Sequence, residues 1–418
     1  MAAMGGVRHR GRPVARIAKH MIRSGACAMA IVSALCAEPL TARAEDTRTQ
    51  YPAFLAHSYF GASFGSLYYD FSGRQLEPGF QAGAVEVPHA AARVTLFGHE
   101  FNRFLSAQVT YMRPVLYVSY RNVNGDEERH RLLVHYGGLT LKPQLPLGRR
   151  VSVFGEAGLG ITSRRAVSIG GAPAVTAAHH ASILLGGGVE YHLSPAWDLT
   201  AGVTYAPGDE RTRQPAALLW SGGFRVNLRP LPAERVEANR SPGVGFPRSL
   251  VQAEYTTGVG YGVNDFVSKK VPIFWGGAVK VARGVAVHYQ RNVFHTRKRF
   301  ALDLGTSVSY WRSRADGQDF AAVAAYPLFR LTMVRTRPAD LFIFYSLAGP
   351  SWVSRSVIDG RDTGGAFTFQ DFMGVGAFLG KDRSFCAAIK INHYSNGNLM
   401  TDNAGIKVPL TLGLGLTF

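Results

Sequence analysis

From about residue 57 onward the chain alternates apolar and polar residues with a period of two, and this alternation constrains its fold more than any other feature. Leu105, Ala107, Val109 and Tyr111 interleave with Ser106, Gln108 and Thr110. Val151, Val153, Ala157, Leu159 and Ile161 interleave with Ser152, Glu156 and Thr162, and Leu199, Ala201, Val203 and Tyr205 with Asp198, Thr200 and Thr204. Successive side chains on a strand point to opposite faces, so each segment carries one apolar and one polar face. No run of 18 or more apolar residues exists, which excludes a helical membrane protein. The charged fraction of 18% is too low, and the apolar fraction of 46% too high, for a disordered chain. Two all-β classes remain, a soluble sandwich and a membrane β-barrel.

The connections favour the barrel. His99 to Asn102, Pro146 to Arg149 and Ser194 to Trp197 read as tight turns. Ser72 to Val87, Asn122 to Arg129, Arg164 to Ala178 and Pro207 to Pro215 are longer and polar. Short turns on one side and long loops on the other are the pattern of outer-membrane barrels. Eight strands fit between His57 and Leu228. Residues 229–247 hold four prolines and no alternation, and read as a linker. The pattern resumes at Leu250, with strands predicted near 250–263, 282–293, 299–312, 319–335, 340–355, 367–379, 384–395 and 405–418. The segment 264–281 fits least well, and Val271 to Val281 is a possible strand of its own. The expected fold is all-β: two tandem eight-stranded transmembrane barrels, or alternatively one 16-stranded barrel built from both halves. The corresponding domains are residues 45–228 and 248–418.

The first 44 residues read as an export signal. Arg8, Arg10, Arg12, Arg16, Lys19 and Arg23 precede a short apolar stretch from Ala26 to Ala37, and Ala42-Arg43-Ala44 offers a cleavage site. Met21 is an equally sensible start, and Leu35 before Cys36 does not suit a lipoprotein anchor. Removal of residues 1–44 takes seven basic residues and one acidic one, lowering the net charge from +18 to +12. Cys386 is then the only cysteine, so no internal disulfide is expected. The excess charge lies in turn pairs such as Arg149-Arg150 and Lys269-Lys270, suited to solubilising turns or meeting lipid phosphates. An exported chain is not expected to meet nucleic acid.

The run Arg150-Val-Ser-Val-Phe-Gly-Glu-Ala-Gly-Leu-Gly160, with Gly187-Gly-Val-Glu-Tyr-His-Leu-Ser194, resembles small OmpA-like outer-membrane barrels. That resemblance covers about 170 residues and implies fold only. The last strand sets Val408, Leu410, Leu412, Leu414, Leu416 and Phe418 against Thr411, Gly413, Gly415 and Thr417. A terminal aromatic there resembles the signal read by the barrel assembly machinery.

The chemistry concentrates in Asn392-His393-Tyr394-Ser395-Asn396-Gly397. His393 and Ser395 share a face with Phe385, Ala387, Ile389 and Ile391, the expected lipid side, while Lys390, Asn392 and Tyr394 point inward. Polar groups facing hydrocarbon are costly to keep for packing alone. A histidine beside a serine can take its proton and make it a nucleophile, and a site facing acyl chains would attack a lipid ester. The alternative is an interfacial polar pair at a strand end.

Together with Phe367-Thr-Phe-Gln-Asp-Phe-Met-Gly-Val-Gly-Ala377, Ala348-Gly-Pro-Ser-Trp352 and Asn403-Ala-Gly405, this motif resembles the lipid A 3-O-deacylase family over residues 250–418. The resemblance implies a lipopolysaccharide substrate in the outer leaflet of a Gram-negative outer membrane, and an ester cleavage needing neither metal nor cofactor. It makes Ser395 the nucleophile and His393 the base, with Asn396 and Gly397 helping to bind the oxyanion. The family's acidic member falls at Lys407 here, while counting back the lipid-facing alternation gives Val408. Asp402 in the adjacent loop and Asp371 on the preceding strand are the nearby acids, and neither follows the family pattern. A non-catalytic barrel, structural or weakly pore-forming, is therefore the rival reading. Three other features carry less. Gly61-Ala-Ser63-Phe-Gly65 lies inside a strand, whereas its motif needs a strand-to-helix turn. His179-His180 has no companion at metal-ligand spacing, and Cys386 reads as a small inward filler. Oligomeric state has no signature in the sequence.

Overall fold

The computed structural model describes residues 47–240, 245–270, 276–400 and 402–418. The expected export signal, residues 1–44, lies outside the described residues. Two antiparallel meanders each close on themselves as eight-stranded barrels, so the single 16-stranded barrel is set aside. The first comprises β1 (Ser58–Tyr69), β2 (Ala90–Asn102), β3 (Leu105–Pro114), β4 (Val134–Pro146), β5 (Val151–Arg164), β6 (Ala178–Ser194), β7 (Trp197–Ala206) and β8 (Ala217–Leu228). The second comprises β9 (Ser249–Thr256), β10 (Val279–His295), β11 (Phe300–Ser313), β12 (Asp319–Arg335), β13 (Ala339–Val353), β14 (Phe367–Leu379), β15 (Phe385–Ser395) and β16 (Ile406–Thr417). Pairing of β1 with β8, and of β9 with β16, closes the two sheets and leaves neither with a free edge.

Both barrels are inside-out relative to a soluble sandwich. Gln108, Thr110, Glu156 and Thr162 are buried, while Val109, Leu139, Leu141 and Leu159 are exposed. On β16, Leu414 is 71% exposed and Thr411, three residues earlier and on the opposite face, is fully buried, which is the outward apolar band that hydrocarbon requires. Most buried lumen charges are paired, as burial demands, while Arg164 near the rim is held by the Thr176 and Thr212 carbonyls instead. In the first, Arg225 meets Asp198 at 2.7 Å and Glu100 at 3.1 Å, Lys142 meets Glu190, and Arg93 meets Glu156. In the second, Glu254 bridges Lys390 at 2.7 Å and His288 at 3.1 Å, and Arg330 meets Asp303 at 3.2 Å.

Several local expectations change. The predicted strand 250–263 stops at Thr256, because Gly258 and Gly260 turn with positive φ into a helix, α2 (Tyr261–Lys270). Residues 271–275 of the possible Val271–Val281 strand lie outside the described residues, and Val279 to Val281 begin β10. The reversal after β2 falls at Arg103-Phe104, not within His99–Asn102. The long loops are also built: 82–86, 118–123 and 126–132 form a three-stranded sheet, and 167–169 pairs with 172–175. Within 229–247, Ala233–Arg240 forms a short helix, α1.

The two barrels touch at their short-turn ends. Leu55 packs on Phe294 and Leu302 of the second barrel, the Tyr51 ring lies tilted against Phe294 with centroids 4.7 Å apart, and Arg48 donates to Asn292 Oδ1 at 3.3 Å. Each wall nevertheless closes with its own strands. Residues 248–418 behind a fresh export signal are accordingly expected to assemble alone and to show heat-modifiable mobility on a gel. Failure to do so without residues 57–228 would mean that the first barrel templates the second.

Candidate active site

Three neighbouring strands bring the polar residues of the second barrel's outer face into one row. His393 of β15 pairs in register with Asp371 of β14 on one side and Lys407 of β16 on the other. Directly paired residues share a face, so all three project outward. Ser395 follows two residues later on the same face, opposite Phe369. His393 is 1% exposed, Ser395 7% and Asp371 8%, unusually deep for the outside of a barrel.

A sheath explains that burial. The helix α2 is tied to β16, Asn264 Nδ2 donating to the Val408 carbonyl at 3.2 Å and Lys407 Nζ to Asp265 Oδ1 at 2.8 Å. On the other side the loop after Ser395 folds back. Asn396 Nδ2 donates to the carbonyls of Thr363 at 3.0 Å and Asp402 at 2.6 Å, and its backbone N–H donates to Asn403 Oδ1 at 3.3 Å. Gly364, at φ +85°, makes this closeness possible: a Cβ there would stand 1.9 Å from the Asp402 carbonyl oxygen.

His393 presents Nδ1 to Asp371 Oδ2 at 3.8 Å, an ion-pair distance. The other carboxylate oxygen of Asp371 accepts the Ala348 backbone N–H at 2.5 Å. Ala348 sits at φ +51°, where the β13–β14 register slips between Ser346 and Gly349. A left-handed alanine costs about 1–2 kcal/mol, and the bulge it forms aims an amide at the carboxylate. This is the Ala348-Gly-Pro-Ser-Trp352 stretch singled out in the sequence, with Gly349 leaving no room for a side chain against Tyr326. On the far side of the imidazole, a Cβ added to Gly405 would lie 3.4 Å from Nε2. The ring is thus held between an acid and a backbone wall.

A second bulge resolves the conflict over the family's acid position. Between the pairs Lys390–Thr411 and Asn392–Val408, β16 spends two residues, Pro409 and Leu410, where β15 spends one. Proline lacks the N–H a regular ladder needs, which suits it to a bulge. The extra residue inverts the alternation, so Val408 turns into the lumen, fully buried against Trp311 and Tyr394, and Lys407 turns out beside His393.

Below this row the outer face becomes apolar. Tyr345, Met373 and Ile391 lie one outward step beneath Asp371 and His393, and Ile343, Val375 and Ile389 a further step. With Leu410 and with Val263 and Val267 of α2 they line a groove of about 550 Å³. Of the four residues singled out in the sequence, His393 and Ser395 share one face. The Asn396 amide is engaged by two carbonyls, and Gly397 stands in a turn at φ +66° with open space beside its Cα. Sequence reasoning missed α2 and Asp265; the i, i+4 pair Val263/Val267 was the available signal. Of the lesser features, Gly61 to Gly65 lie within β1, His179 and His180 begin β6, and Cys386 is buried in the lumen.

Comparison with known proteins agrees with both resemblances. Residues 282–413 match the family model of lipid A 3-O-deacylase (PagL), and residues 55–214 that of the OmpA-like transmembrane domain. Among solved structures, the outer membrane enzyme PagL is similar at 16% identity and TM-score 0.29, covering 40% of this chain and 99% of that one. Neisserial surface protein A gives 19% identity and TM-score 0.27, covering 41% and 97%. The attachment invasion locus protein Ail of Yersinia pestis gives 14% and 0.28, with the same coverages. No curated protein sequence matches the chain. The two domain matches and the two inside-out barrels make this a protein of the Gram-negative outer membrane.

Proposed function

We propose that the second barrel is a lipid A 3-O-deacylase, with Ser395 as nucleophile, His393 as base and Asp371 as the acid that orients it. One observation carries the reading: a shielded Asp-His-Ser cluster on the outer wall, directly above an apolar groove. Long loops mark the outer side of such barrels, and a cluster at the long-loop end of β15 suits a substrate in the outer leaflet, where lipopolysaccharide resides. The family match over residues 282–413 supplies the substrate class.

In this mechanism Ser395 Oγ attacks the ester carbonyl while His393 Nε2 takes its proton. Asp371 stabilises the imidazolium and fixes Nδ1 as the protonated nitrogen. The Gly397 N–H, together with any Asn396 donor freed on binding, would face the tetrahedral oxyanion. The imidazolium then protonates the departing sugar oxygen, and water releases the acid from the acyl-serine by the same steps in reverse. The groove takes the acyl chain, each buried methylene favouring the bound state by about 0.8 kcal/mol.

Lys407 favours the rival reading, a non-catalytic barrel with a degenerate site, because it stands where the family has its acid. Its ammonium is neutralised by Asp265, however, and a carboxylate is present across the ring. Mass spectrometry of lipid A from cells with and without the protein decides between them: loss of one ester-linked acyl chain is expected, and an unchanged lipid A profile would leave the non-catalytic barrel. The groove gives a further expectation. Met373→Trp should obstruct its upper end and raise KM for lipid A about tenfold or more, equivalent to losing about two buried methylenes, while leaving hydrolysis of a short-chain ester at the wild-type rate.

A further inference from the structure

The long-loop rim of the first barrel meets the loop that follows Ser395. On β4 and β5, Thr140 and Thr162 point into the lumen, so the register pairs His135–Ser163 and Gly137–Ile161 face outward. An outward position so near the rim would ordinarily face lipid or water. Here His135 is 1% and Ser163 2% exposed. Leu399, Met400 and Asn403 of the second barrel account for part of that cover. Ser163 Oγ donates to the Met400 carbonyl at 3.2 Å, and Arg165 donates to the Asn403 carbonyl at 2.5 Å. Leu399 lies so close over Gly137 that a Cβ there would stand 2.9 Å from its Cδ2. Burial disfavours the Arg165 charge and lowers its pKa, and the nearby Asp402 carboxylate acts in the opposite direction.

These contacts lead back to the candidate chemistry in one step. The Asp402 carbonyl accepts from Asn396 Nδ2, the Asn403 side chain accepts from the Asn396 backbone, and Gly405 walls His393 Nε2. The loop whose far side is held by Arg165 is therefore the one that carries the oxyanion donors. We propose that the first barrel is a positioning partner for deacylation, its β4–β5 rim and Arg165 holding the 396–405 loop in its productive shape. Arg165 touches no reacting atom and is a positioning residue. This inference rests on the deacylase reading and gives the first barrel a task in it.

The full-length protein carries the test in two arms. In the first, Gly137→Cys with Leu399→Cys is treated with a short bismaleimide, the buried Cys386 staying unreactive. An intramolecular cross-link is expected, and its absence would overturn the contact. In the second, kcat and KM for lipid A are measured per assembled barrel. Arg165→Ala should lower kcat about tenfold or more, as small displacements of reacting groups do, with KM nearly unchanged. Arg165→Lys should recover most of the rate, and Arg150→Ala at the short-turn end of β5 should have no effect. An active wild type whose Arg165→Ala variant keeps full kcat overturns the positioning role alone. If the Gly137→Cys/Leu399→Cys protein cross-links yet the wild type releases no fatty acid, the deacylase reading is overturned, and this inference with it.

Discussion

Ser395→Ala is expected to reduce acyl release from lipid A to background, a loss of about 10³-fold or more. Removing a serine nucleophile costs about 10⁶ in kcat where binding and oxyanion groups survive, and a slow lipid enzyme shows only the part above its background. The structure makes this a clean experiment. Ser395 is 7% exposed at the last position of β15, and deleting one hydroxyl there leaves the sheet pairing with Phe369 intact. The expected change in stability is below about 1 kcal/mol, so heat-modifiable mobility should match wild type. Fatty acid still released from lipid A at the wild-type rate would remove Ser395 from the mechanism. His393→Ala should behave alike, since nucleophile and base act as a unit and their losses do not add.

Asp371→Asn is expected to cost about 10³- to 10⁴-fold in kcat with little change in KM, the loss that follows when a catalytic histidine is left with the wrong tautomer. The amide can still accept the Ala348 N–H, so the bulge of β13 should persist. From sequence alone Lys407→Glu is the expected gain-of-function change if residue 407 holds the family's acid position, Val408→Glu if a bulge shifts the register, and neither if Asp402 already serves. The structure revises that expectation. The wild type already has an acid across the ring, and Lys407→Glu would break the pairing with Asp265, so by itself it should not raise activity. In the Asp371→Asn background it should recover about tenfold, because residue 407 pairs with His393 from the opposite side. Val408→Glu should do nothing for the rate and should instead bury an unpaired carboxylate among Trp311, Tyr394 and Ile406. If Asp371→Asn keeps full activity while Asp402→Asn abolishes it, the orienting acid lies in the loop instead.

Period-two alternation, loop asymmetry and the proline-rich break at 229–247 were enough to read inside-out membrane barrels, because strand direction and lipid exposure act residue by residue, whereas the choice of two eight-stranded barrels over one of 16 strands came from the closing pairs β1–β8 and β9–β16. Seven of the eight strands predicted in the second half lie close to their observed spans, and the eighth was overextended because Gly258 and Gly260 were read as strand residues. The shared face of His393 and Ser395 was legible for the same local reason. Which acid faces the histidine was not. Asp371 lies 22 residues earlier in the chain and reaches His393 only through the pairing of β14 with β15. Whether Lys407 or Val408 points outward depends on one extra residue at Pro409-Leu410, and a bulge inverts every position beyond it without leaving a mark in the alternation. The grip of Arg165 on Asn403 joins residues 238 apart on two separately closed barrels. Periodicity records which way a side chain points from its own strand, and only the closed, paired and packed sheets decide what it meets there.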